Sequence, residues 1–401
     1  MNSESGKHVW GFSTAGRVFF GWGAVAELRN VPREFGQRVL VCTDQNIVKA
    51  GICETVMALL GDAKANVKVF DEGRPEVDRQ TIERAAEVAK GYAPDVVIGL
   101  GGGSNLDLSK AVALLLKHPG PISAYYGENN VPGPITPVVA VPTTAGTGSE
   151  VSPVAVVADP ERAIKVGIAS RALIPKWAIV DPALTISCPA SVTAHSGMDA
   201  LTHAIESYCA KVRPGVSPHA IFVGKNPVSD VLAARAISCI AKSLATAVAQ
   251  PDNRTAREEV ALASLLAGMA FSSAGTAAVH ALQYPVGEAT HTPHGLGNAV
   301  LLPTVMRSIL PTRIEEMAFI ARCLEPGLTT ETDATAASQA PVLVEKLGAE
   351  LGIPKGLRAL GLTREQLPHL SQLASTVRRL IDNSPIDFDE NGLLRLLQEA
   401  F

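Results

Sequence analysis

DVVIGLGGGSNLDLSKAVALLL, residues 95–116, carries the fold in one line. An apolar run leads into the glycines Gly101, Gly102 and Gly103, and the residues after them place Leu, Ala and Val at helical spacing. A strand that passes through glycines into a helix is half of a βαβ unit. Glycine lets the backbone take positive φ and approach a phosphate, and a helix start offers free N–H groups and the positive end of the helix dipole. Ser104 is the expected N-cap, with Asp107 three residues later in the capping-box place. A tight strand–helix turn with no ligand would read the same way, so this stretch alone leaves both readings open.

Outward from it, RVLVCTD (38–44) and VVAVPTT (138–144) are further apolar runs ending in polar residues, and helical periods lie at 78–91 and 104–117. Strands alternating with helices predict a parallel sheet. Asp44 closes the first run, where a carboxylate binds a ribose 2′-OH and repels a 2′-phosphate; a helix cap is the alternative. PTTAGTGSEV (142–151) brings Thr143, Thr144, Thr147 and Ser149 into one loop that can offer hydroxyl and N–H groups to a nucleotide. Two such loops, each after a strand, favour a shared nucleotide site over two unrelated turns.

From about residue 186 strand signals become rare, and helical periods follow at 228–249, 255–271, 313–324, 335–351 and 389–400. The expected division is an α/β nucleotide-binding (Rossmann-like) domain over 1–185 and an all-α domain over 186–401. AKVRPGVSPHAIFVGKNPVSD (210–230), rich in Pro and Gly, reads as a surface excursion between two helices.

A content of 47% apolar and 18% charged residues supplies a large core, while the net charge of −4, with no basic stripe, argues against nucleic acid as a partner. No long unbroken apolar run predicts a membrane span, and the polar start lacks a signal-peptide core. Six scattered cysteines without a CxxC pair fit a reducing, cytoplasmic setting.

In GMDALTHAIESY (197–208), Asp199 and His203 stand i, i+4, on one helix face; taken alone, they could be a core Asp–His pair. His280, His291 and His294, three of the nine histidines, then fall within fifteen residues. Imidazoles with one carboxylate suit a divalent first-row ion, and this pattern does not choose among Fe, Zn, Mn and Ni.

Together GGGSNLDLSK, PTTAGTGSEV, GMDALTHAIESY and HALQYPVGEATHTPHGLGNAVLLP, in this order and spacing, resemble the iron-containing (group III) alcohol dehydrogenases. The resemblance implies a dehydroquinate synthase-like fold with its site in a cleft between the two domains. It implies metal ligands at Asp199, His203, His280 and His294, with Fe(II) expected and Zn(II) as the alternative. It implies a nicotinamide cofactor against Asp44, Gly101, Gly102, Gly103, Ser104, Asp107, Thr143, Thr144, Thr147 and Ser149, and the Asp44 carboxylate predicts NAD in preference to NADP. His195, also i, i+4 from Asp199, is set aside as a neighbour.

Many members carry a histidine where Tyr284 stands, so Tyr284 and His291 are the residues expected to pass a proton. GKNPVSD and HALQYP are similar to the hydroxyacid–oxoacid transhydrogenase branch, which shares fold and metal site. The expected substrate is accordingly an alcohol, aldehyde or hydroxyacid, and the expected assembly a homodimer. A nucleotide-binding regulator without catalysis is the alternative of another class.

Overall fold

A computed structural model describes residues 9–159, 161 and 165–401. The polar start, residues 1–8, lies outside the described residues. Nine strands are present among them: β1 (Arg17–Phe20), β2 (Arg38–Cys42), β3 (Asn66–Phe70), β4 (Val96–Gly101), β5 (Gly127–Glu128), β6 (Val138–Pro142), β7 (Val154–Val157), β8 (Val166–Ala169) and β9 (Trp177–Val180). Six form a sheet in the order β1-β9-β6-β4-β2-β3, parallel throughout. A smaller sheet has the order β5-β8-β7.

The central strands are apolar at every position because both faces of the sheet are covered. Leu40 and Val97 enter one core, while their neighbours Val39, Val41, Val96 and Ile98 enter the other. This is the two-residue alternation of a strand, applied to two apolar layers.

From β2 the chain moves outward to β3, whereas from β4 it moves the opposite way to β6. The crevice between the carboxyl ends of β2 and β4 is therefore the topological switch point, the place where open α/β sheets bind ligands. Register pairs Gly101 of β4 with Pro142 of β6, so the glycine loop and the threonine loop leave the sheet side by side.

Beyond Val180 the described chain is helical. The 23-residue helix Pro227–Ala249 is long and apolar enough to cross a bilayer, yet it packs against the helices Ala190–Tyr208 and Arg254–Ala274. All six cysteines are free, and four are buried.

The surface reading of 210–230 holds only in part. Residues 211–220 are exposed or half-buried, but Ile221, Phe222 and Val223 turn inward and are buried. Three consecutive apolar residues outweigh the Pro and Gly around them.

Candidate active site

Asp199 and His203 lie on the long helix Ala190–Tyr208, and both are buried. His280 comes from the helix Ala278–Thr290, which starts directly after a turn at Gly275 (φ 84°). His294 opens the helix His294–Ile309. Gly295 lets that helix approach closely, since a Cβ there would stand 2.2 Å from the His195 carbonyl oxygen and 3.0 Å from the Asp199 Cβ.

Donor atoms of Asp199, His203 and His280 lie within 4.8 Å of one another. His203 Nδ1 stands 3.3 Å from the Gly146 carbonyl, which can only accept, so Nδ1 carries the proton. His280 Nδ1 lies 2.5 Å from Glu206 Oε2. That carboxyl group already accepts from the backbone N–H groups of Ala277 (2.9 Å) and Val279 (2.6 Å), so here too Nδ1 is the donor. Both Nε2 atoms are left with lone pairs, and they face each other at 3.0 Å. Two lone pairs at that distance repel unless a cation is shared between them.

His294 stands one step out. Its Nε2 is 3.9 Å from Asp199 Oδ1 and 3.1 Å from Asn298 Nδ2. The same amide nitrogen lies 2.8 Å from Asp199 Oδ1 and 3.2 Å from His280 Nε2, while its partner atom Oδ1 is buried with no hydrogen bond. One NH₂ group has two hydrogens for three acceptors, so the cluster is short of positive charge. Its donor set fits a divalent ion.

Electrostatics agree. Burial holds the His280 imidazole well below its ordinary value, with His203 adding to the effect. Burial would raise the Asp199 carboxyl, but the three histidines reverse that and hold it low. Burial pushes Glu206 up to about 7, against its backbone donors.

A cavity of about 700 Å³ opens over these donors and runs toward the sheet. Gly103, Ser104, Asp107, Thr147 and Ser149 line it from the sheet side, and Tyr284, His291 and Phe222 from the helical side. Tyr284 is buried, its ring centroid 6.3 Å from that of His294. His291 ends its helix in the left-handed region (φ 53°) at the exposed rim.

The expected capping box at Ser104 and Asp107 is absent. Gly102 is the N-cap, and the Ser104 hydroxyl donates to the Pro75 carbonyl instead. Asp107 accepts from Ser149 Oγ (2.6 Å) and Val156 N (2.9 Å), because the fully buried Lys110 draws this strip together through Ser149 Oγ (2.8 Å) and the Val154 carbonyl (2.7 Å). Asp44 caps the short helix Gln45–Lys49 and accepts from Asn105 Nδ2 at 2.6 Å, which ties the two sides of the switch point together.

Asp44, Gly101, Gly102, Thr143 and Thr144 sit at the strand ends without lining the cavity itself. Gly103 faces it in a tight cradle: a Cβ there would meet Thr147 Cγ2 at 2.6 Å. The pattern reading overlooked Glu206, Asn298 and Lys110. Only Glu206 left a signal, since it shares the helix stripe of Asp199 and His203.

A family profile described as iron-containing alcohol dehydrogenase matches residues 15–182, and the C-terminal profile of the Fe-containing alcohol dehydrogenase family matches 193–401. The chain belongs to the iron-containing alcohol dehydrogenases. Like the family, it is a metal-dependent, NAD-linked alcohol oxidoreductase that uses iron, so the enzymatic reading stands over the regulator.

Within the iron-containing alcohol dehydrogenases it is 37% identical to long-chain-alcohol dehydrogenase 1 of Geobacillus thermodenitrificans, over 95% of this chain and 94% of that one. It is 35% identical to the NAD-dependent methanol dehydrogenase of Bacillus methanolicus, over 88% and 90%. A crystal structure of 1,3-propanediol oxidoreductase superposes with a TM-score of 0.92 at 34% identity, covering 98% of this chain and all of that one.

Proposed function

We propose that Asp199, His203, His280 and His294 hold the iron, and that the cleft beside them binds NAD and a primary alcohol or its aldehyde. The observation that carries this reading is the pair of Nε2 lone pairs held face to face at 3.0 Å, each tautomer set by a partner on Nδ1. A divalent ion held there supplies Lewis-acid polarisation of the substrate oxygen. NAD, when bound, would supply the hydride acceptor for the carbinol carbon.

The remaining roles belong to the chain's own residues. The N-terminus of the helix Gly103–Lys117 offers N–H groups to the pyrophosphate. Ser149, fixed by Asp107 and Lys110, and Thr147, whose hydroxyl accepts from Ser149 N at 3.3 Å, face the nicotinamide end. Asp44, beside the switch point, receives the ribose of NAD. Burial raises the Tyr284 phenol, so Tyr284 orients the substrate oxygen as a donor. His291, exposed at the rim, passes the proton to water. The relatives named for long-chain alcohols, methanol and 1,3-propanediol support an alcohol as the substrate class.

The two halves divide as 1–185 and 186–401, a boundary supported by the last strand ending at Val180 and by the two profile spans. We also propose a cytoplasmic homodimer, in keeping with the prevalence of two-fold assemblies and the six free cysteines. Sedimentation of the purified enzyme at a monomer mass would overturn the dimer. His280→Ala is expected to lose bound metal and NAD-linked turnover together. Full activity of that variant after chelation would overturn the assignment of the ligands.

A further inference from the structure

Past Tyr284 the cavity wall changes character. Arg379, on the short helix Arg378–Ile381, lines it, and its guanidinium lies over the Phe222 ring at 4.8 Å. The segment is fixed in place by Asn383, whose amide donates to the carbonyls of Ala274 (2.9 Å) and Thr276 (3.1 Å). Arg379 also stands close enough to Tyr284 to oppose the rise that burial imposes on its phenol.

The other cations of the cavity are committed. Lys165 is paired with Glu76, and Arg74 with Asp78 at 3.1 Å. Among the described residues the one carboxylate near Arg379 is Glu128, 3.5 Å from Nε and partly exposed on the rim strand β5. A guanidinium has five N–H donors, and its outer fork matches a carboxylate bidentately. A largely buried guanidinium with one loose carboxylate partner has charge and donors to spare for an anionic ligand.

We propose that Arg379, flanked by Tyr284, binds an anionic end of the substrate, so that this chain acts on ω-hydroxy acids and their semialdehydes. The inference rests on the dehydrogenase reading above. Tyr284 stands beside both the His294 ring, 6.3 Å between centroids, and Arg379, so a substrate that spans the two carries its hydroxyl at one end and its carboxylate at the other. Val154, Val156 and Phe271 supply apolar wall for the chain between.

The test compares 4-hydroxybutyrate with 1-butanol, and 3-hydroxypropionate with 1-propanol, in NAD reduction by wild type, Arg379→Met, Arg379→Lys and Glu128→Gln. Wild type is expected to favour the acids. Arg379→Met is expected to raise KM for the acids about 10- to 100-fold, the span of a charged hydrogen-bonded pair, and to leave the alcohols unchanged. Arg379→Lys is expected to fall between. Glu128→Gln frees the guanidinium and is expected to lower KM for the acids, which keeps the test informative if Arg379→Met does not fold. A wild-type preference for the neutral alcohols overturns the proposal. So does an equal loss on both series in Arg379→Met, or an unchanged KM for the acids in both Arg379→Lys and Glu128→Gln. Absence of NAD reduction with every compound would instead sink the dehydrogenase reading itself.

Discussion

His280 is walled in, and its imidazole is held neutral far below the usual histidine range of 6.5. In the unfolded chain the same ring takes up a proton as pH drops through about 6.5. The unfolded state therefore binds more protons below that point, and stability falls with pH there by about 1.4 kcal/mol per unit for this one group. Above the unfolded value the contribution is fully present. Glu206, pushed up to about 7, contributes in the opposite sense over the same range, so the His280 contribution is read as the melting-temperature difference between chelator-treated wild type and His280→Gln, which is expected to be level above about pH 7 and to fall steadily toward pH 5. A level profile across that range would show that the ring is not buried neutral. Single residues of this kind were partly legible. His280 stood out through the clustering of three histidines, but Asn298 gave no sign, because an Asn inside a helix of small and apolar residues announces neither its partners nor its depth.

At the scale of elements, Glu206 joins two helices. It takes the first N–H groups of the helix Ala278–Thr290, which has no side-chain cap of its own, and with the same carboxylate turns His280. Glu206→Gln is expected to weaken metal binding about 10- to 100-fold, the cost of losing a carboxylate behind a metal-bound histidine. Competition with a chromophoric chelator measures it, and unchanged affinity would reduce Glu206 to a cap alone. The long helices were readable from their period, since each buries one stripe against a neighbour. Capping was not: Ser104 has the right residue type, but the tertiary strip around Lys110 claims Asp107, and the helix starts on Gly102. Close packing between elements was equally hidden. Gly148, at φ 60°, lies against Gly268 so tightly that a Cβ on it would stand 2.3 Å from the Gly268 Cα, a contact between residues 120 apart that no local pattern encodes.

Across the whole molecule, the parallel sheet was legible because its central strands are apolar runs. The short strands β1, β3, β7, β8 and β9 were not, since none of them runs into consecutive glycines or threonines of the kind that marked β4 and β6. The ends of the cavity divide the same way. The histidines lie in recognisable motifs, whereas Arg379 reaches the cavity only through the return of the C-terminal segment onto the Gly275 turn. The histidine cluster has one more consequence. A set of imidazoles and one carboxylate ranks divalent ions by the general affinity series of first-row metals, in which zinc and nickel outrank ferrous iron. Nothing in the donor atoms themselves reverses that order. Which ion fills the chain is then a matter of supply, and an enzyme made in zinc-rich medium should carry a different metal from one made where iron is plentiful.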